Sequence, residues 1–261
     1  MSLLGGCKQR LQSAIESVLA ATPQLYLTHI TKLDNARSVF ENGYIATTDC
    51  KVLEESLCYF FYGRAEYRGR GYKASDLDGE RPVCFVIKNV DKNDIFSVFP
   101  FDTGAFYLKD GVQERYFPNV SDILDLSIGD DVESAQRLIT KFWENNDNFI
   151  NNKPMDDAQV QYDNFSEMEV GAYIQLLSKH GRDELDGRVS TPEIVALNDI
   201  SLHQVEFIIA PSQISDSEAF RRNCDDYGIV PIYYYTMTPL KENEYISVIQ
   251  DRFYELLRKN V

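Results

Sequence analysis

The sequence predicts an α+β protein, and three observations carry that expectation. Short apolar runs rich in Val, Ile and Phe, such as Pro82–Lys88 and Val205–Ala210, have the length and composition of strands. Between them, other stretches repeat apolar residues at the three-to-four spacing of a helix with one buried face. Near the start the two kinds alternate as strand, short helix and strand, the order of a mixed rather than an all-helical or all-β chain.

Taken in order, Leu11, Ile15, Val18 and Leu19 predict an amphipathic helix ending before Pro23, and Leu25–Ile30 a short strand. Asp34 is placed to cap a helix whose apolar side is Ala36, Val39 and Phe40, with Gly43 closing it. Tyr44–Ala46 follows as a strand, and Cys58–Tyr62 is an aromatic run that suits either a strand or one helical turn. Pro82–Lys88 and Ile95–Phe101 read as strands, and the stretch from Asp102 to Asp131 as a series of turns. Val132, Ala135, Leu138, Ile139, Phe142 and Trp143 keep helical spacing. Residues 144–154, with five asparagines, read as a loop. A helix over Met168–Leu177 is stopped by Gly181; Glu193–Leu197 and Val205–Ala210 form two strands joined by a polar turn. Ile229–Thr236 is a further strand and Tyr245–Leu257 a closing helix. Composition does not change across residues 144–154, so the expectation is one domain over residues 1–261.

Of 261 residues, 44% are hydrophobic and 12% aromatic, which excludes a disordered chain. Lys+Arg minus Asp+Glu is 26 − 41 = −15, so a polybasic nucleic-acid or membrane binder is excluded. The five cysteines include no CxxC pair and only three histidines accompany them, so neither a disulfide scaffold nor a zinc module is expected. Lys8, Arg10 and Glu16 interrupt the first apolar stretch, and no window approaches the roughly 18 uncharged residues of a membrane span. A cytoplasmic protein without a metal is the expectation.

The P-loop, GxSxG and HExxH patterns are absent, and Gly69-Arg-Gly71 lacks the third glycine of a dinucleotide fingerprint. Three other segments stand out: His29 late in a strand within Thr28-His29-Ile30-Thr31, Arg64 after Tyr59-Phe60-Phe61-Tyr62-Gly63, and Glu193 heading a strand otherwise set to be buried. Each type also has an ordinary structural use, as a core histidine, a solvated arginine or an edge glutamate.

Together these segments resemble the NAD-using ADP-ribosyltransferases, and among them the DNA-modifying DarT-type toxins. The resemblance covers the region up to Arg64 and the stretch PEIVALNDISLHQVEFIIAP, and leaves residues 67–152 outside it. It implies central mixed β-sheets with flanking helices and NAD as a consumed substrate. It implies that His29 and Thr31 help bind NAD, with Asn35 on the following helix; by residue type, an aromatic such as Tyr62 can stack on nicotinamide. Arg64 is the arginine that supports catalysis and Glu193 the catalytic acid, with the PEIVA strand pairing with VEFIIAP. A toxin or defence effector of bacterial or phage origin, with an antitoxin partner, is the corresponding biology. The chemistry suits the residue types. Cleaving the nicotinamide–ribose bond passes through an oxocarbenium-like state that a carboxylate stabilises, and an arginine fork can grip pyrophosphate. Glu167 and Glu169 form a rival Glu-x-Glu pair, although acids at that position also simply favour a helix start.

From Arg64 to Lys73 there are four cations and one anion, with Tyr67 and Tyr72 between them. Arg68, Arg70 and Lys73 are therefore the expected acceptor-binding residues, for a short single-stranded nucleic acid or, failing that, a protein. Two rival readings remain: a catalytically inactive acidic interaction module on the same fold, and an RNA 2′-phosphotransferase-like enzyme.

Overall fold

The computed structural model describes residues 10–67, 77–108, 111–179 and 187–260. The architecture is α+β, with a mixed central sheet and flanking helices. The chain divides into two compact units, Met1–Gln24 with Ile95–Val195 and Leu25–Asp94 with Ala196–Val261.

In chain order the elements are α1 (Arg10–Ile15), β1 (Leu27–Lys32), α2 (Leu33–Asn42), β2 (Tyr44–Ile45), β3 (Thr48–Asp49), β4 (Ser56–Tyr62), β5 (Pro82–Ile87) and β6 (Ile95–Phe99). They continue with α3 (Thr103–Phe106), α4 (Val112–Tyr116), α5 (Val132–Trp143), α6 (Asn146–Ile150), α7 (Met168–Lys179) and β7 (Glu193–Ala196). Last come β8 (Ile200–Ser201), β9 (Val205–Pro211), α8 (Glu218–Tyr227), β10 (Val230–Tyr234) and α9 (Glu242–Asn260).

The unit that holds β1 is built on the strand order β10-β9-β5-β1-β4. β1 pairs antiparallel with β4 and β5, and β5 antiparallel with β9, whereas β9 and β10 run parallel. The parallel pair needs a crossover, and α8 supplies it, started by the Ser217 hydroxyl on the Phe220 N–H and stopped at Gly228. All six residues of β5 are buried, so the sheet is covered on both faces. Register assigns the covers. His29, Phe85 and Ile208 lie abreast, and Phe40 of α2 packs 6.1 Å from Phe85 and 5.8 Å from Phe220 of α8. The alternate residues Ile30, Cys84, Ile209 and Ile232 face the other way, as does Tyr234, which meets Tyr245 of α9 at 6.0 Å. Burial pushes the Cys58 and Cys224 thiols up to about 12, so they act as small apolar groups.

In the other unit β6 and β7 are neighbours, backed by a core rich in aromatic side chains. Phe142 meets Tyr173 edge-on at 4.8 Å, Trp143 meets Phe149 at 5.1 Å, and the Tyr173 hydroxyl donates to the Pro100 carbonyl at 3.0 Å.

Several expectations need correction. α1 stops at Ile15 and Leu19 is 85% exposed, because the chain beyond is drawn out by bonds between Ala21 and Gln136, main chain to main chain and side chain to carbonyl. Asp34 does not cap α2. The strand runs straight into the helix, the Leu33 N–H is taken by the Arg81 carbonyl, and Asp34 sits inside the first turn. Residues 144–154 are not simply a loop. Glu144 ends α5 at φ 72°, and the Asn145 side chain accepts from the Asn148 N–H at 2.9 Å to start α6. The stretch 102–131 likewise folds the short helices α3 and α4, with Asp102 capping the first of them. The aromatic run is a strand, β4. Finally, β9 is flanked by β5 and β10, so VEFIIAP is not the partner of the Glu193 strand.

Gly43 ends α2 at φ 82°, and a Cβ there would lie 2.8 Å from the Tyr227 hydroxyl oxygen; Gly228 has φ 71° and open space. Gly43→Ala should therefore cost more than the roughly 1–2 kcal/mol of the left-handed conformation alone. Gly228→Ala should cost about that much and no more. Urea unfolding of both variants checks this; equal losses would mean that Tyr227 yields freely.

Candidate functional site

At the end of β1 the strand alternation puts His29 and Thr31 on the same face. The His29 Nδ1 lies 3.0 Å from the Tyr59 carbonyl of β4. A carbonyl only accepts, so Nδ1 carries the hydrogen and, in the neutral ring, Nε2 presents a lone pair. Burial holds the imidazole pKa below its usual value, opposed in part by the Tyr59 hydrogen bond. The Phe60 ring lies 5.8 Å away, and the residue as a whole stays partly exposed. One turn into α2, the Asn35 side-chain amide donates to the Thr31 hydroxyl at 3.1 Å. His29, Thr31 and Asn35 thus form an uncharged polar group of one acceptor nitrogen, one hydroxyl and one amide, which suits sugar hydroxyls better than phosphates. A cleft of about 400 Å³ between α2 and α8, floored by Phe40 and Phe220, is lined by none of the three.

Tyr62 does not join this group. It is fully buried, its hydroxyl accepts the Leu25 N–H at 2.9 Å, and burial raises its pKa. No ring face is left for stacking on a ligand. It is a core residue that ties the segment before β1 to the end of β4.

Arg64 is also buried, at 3% exposure. Gly63 turns the chain at φ 70°, with its N–H on the Tyr26 carbonyl, and the Arg64 carbonyl then accepts the Thr28 hydroxyl at 2.7 Å. Thr28 and His29 point to opposite faces of β1. Burial raises the Tyr254 phenol of α9, with the Arg64 charge opposing that rise and the Glu66 charge adding to it. Glu66 itself accepts from Gln250 of α9 at 2.9 Å. The Arg64 side chain thus belongs with α9, and His29 with the face that α2 and α8 cover.

Glu193 lies in the other unit, 3% exposed, with its Oε2 accepting the Thr103 N–H at 2.9 Å. Thr103 opens α3, and its neighbour Asp102 is ion-paired with Arg188. Sequence reasoning singled out neither Asp102 nor Arg188 as a functional residue. The signals were an Asp-Thr-Gly at the end of an aromatic run, Phe99-Pro-Phe-Asp-Thr-Gly104, and an arginine five positions ahead of the glutamate. Glu167, of the rival pair, accepts the Asp163 N–H at the exposed start of α7, a helix-capping role. His203 is exposed and packs 5.1 Å from the Tyr227 ring. Arg68, Arg70 and Lys73, the expected acceptor residues, lie outside the described residues.

No protein-family model, curated protein or solved structure matches the chain. Among the described residues no helix is long and apolar enough to cross a membrane, and no group of three or more His, Cys, Asp or Glu side chains is placed to hold a metal.

The depressed His29 pKa has a stability consequence. Below the ordinary value of 6.5 the unfolded chain takes up a proton that the folded one resists, so stability falls as pH drops through that range. His29→Asn keeps a donor for the Tyr59 carbonyl and should flatten the fall between about pH 7.5 and 5.5. Urea unfolding at both pH values reads it, and equal slopes in variant and wild type would overturn the assignment.

Proposed function

We propose that the chain is an NAD-consuming ADP-ribosyltransferase that transfers ADP-ribose to a nucleic-acid or protein acceptor. The observation that carries this reading is the His29, Thr31 and Asn35 group at the end of β1, with the imidazole held in one tautomer by the Tyr59 carbonyl. In this reading the neutral ring accepts from a ribose hydroxyl at Nε2, and the Thr31 hydroxyl and Asn35 amide add polar groups from the end of β1 and the start of α2. Glu193 is the carboxylate this reading assigns as the acid, on the strength of its place at the head of β7. As nicotinamide leaves with the bonding electrons, positive charge develops at the ribose carbon and ring oxygen, and a carboxylate opposes it. The acceptor nucleophile then bonds to that carbon and gives up its proton to water. Arg64 does not grip the pyrophosphate in this reading, because its side chain sides with α9.

A second reading has its own support. With His29 and Arg64 on opposite faces of the sheet, the chain reads as an acidic interaction module that keeps the fold without turnover.

Nicotinamide release from NAD by the purified full-length protein, with and without short single-stranded DNA, separates the two. Release is expected, with Glu193→Gln lowering it by about 10² or more. His29→Ala should raise the KM for NAD. No release under any condition would sink the transferase reading in favour of the interaction module. Release that survives Glu193→Gln would move the acid to Glu167 or Glu169.

A further inference from the structure

Three successive main-chain N–H groups at the start of α3 are each taken by a different acceptor. The Asp102 N–H donates to the Arg188 carbonyl at 3.2 Å, the Thr103 N–H to Glu193 Oε2 at 2.9 Å, and the Gly104 N–H to Asp102 Oδ1 at 2.7 Å. The remaining Asp102 oxygen, Oδ2, is held by Nη1 of the Arg188 guanidinium. Arg188 therefore grips Asp102 twice, through its side chain and through its carbonyl. Asp102, Thr103, Arg188 and Glu193 are all buried, between 3% and 7% exposed.

Arg188 and Glu193 lie close together on one segment. The turn Gly187–Ser190 that carries Arg188 is tightened by the Ser190 and Thr191 hydroxyls, both donating to the Gly187 carbonyl. That segment clamps the Asp102–Thr103 corner at two points, an ion pair on one residue and a carboxylate on the next. A guanidinium fixed at two points also holds Asp102 in one orientation, which a lysine ammonium does less well.

We infer that Arg188 and Asp102 are positioning residues that set the orientation of the Glu193 carboxylate through the Thr103 N–H. This rests on the reading of Glu193 as the acid of the proposed reaction, and the test separates the two claims.

Thr103→Pro deletes a main-chain N–H that Glu193 accepts. Proline suits the first position of a helix, and the preceding Asp102 has the extended backbone, ψ 117°, that proline requires of its neighbour. In the full-length protein, the Glu193 carboxyl, followed by carbon-13 NMR and assigned by its loss in Glu193→Gln, should titrate about one pH unit or more higher. Arg188→Gln should raise it in the same direction, and Arg188→Lys, which restores a charge, should bring it part of the way back. Nicotinamide release by Thr103→Pro should fall about tenfold or more in kcat with the KM for NAD unchanged. An unshifted Glu193 titration in folded Thr103→Pro overturns the inference whatever the activity, and that variant decides the matter if Arg188→Gln does not fold. A shifted titration in a protein that releases no nicotinamide supports the clamp and rejects the transferase reading.

Discussion

β5 contributes six consecutive buried residues, paired on one side with β1 and on the other with β9, and much of the second unit follows from covering both of its faces. A strand buried front and back needs helices on both sides, so α2 and α8 cover one face and α9 the other. That division decides what neighbouring residues of β1 can do. His29 shares its face with Phe85, while Thr28, one residue earlier, points toward α9 and anchors the Arg64 carbonyl. The pleat thus gives adjacent residues of β1 different surroundings.

Buried charge poses a different constraint in the first unit. Asp102, Arg188 and Glu193 have all left water, and each must recover in hydrogen bonds what it lost in hydration. The main-chain donors at the start of α3 supply part of that compensation. A buried ion pair of this kind is weak evidence of net stability, since packed apolar residues often do as well, but it fixes geometry in a way that apolar contacts cannot.

The periodic elements were legible. β5, β9 and α5 announce themselves because side-chain period follows directly from backbone geometry, and Gly43 closes α2 as its position suggested. The asparagines of residues 144–154 were misleading because the same short amide that favours loops also caps a helix, as Asn145 does for α6. Asp34 misled in the opposite sense. Its composition suits a cap, but the ladder bond from Leu33 to Arg81 had already set where the helix begins. In the candidate site, the polar edge of His29, Thr31 and Asn35 could be read from strand alternation and one helical turn. The partners of Tyr62 and Arg64 could not.

Local pattern was enough to establish an α+β chain, most of its longer strands and helices, and the residue types with chemical capacity. It could not establish which strands are neighbours, which face each candidate side chain occupies, or that Asp102 and Arg188 meet. Those outcomes depend on pairings between segments far apart along the chain, such as Asp102 with Arg188 and Thr28 with Arg64. Such pairings are selected by the burial of whole sheet faces and the satisfaction of buried polar groups. Both are sums over the folded molecule, and no window of sequence contains them.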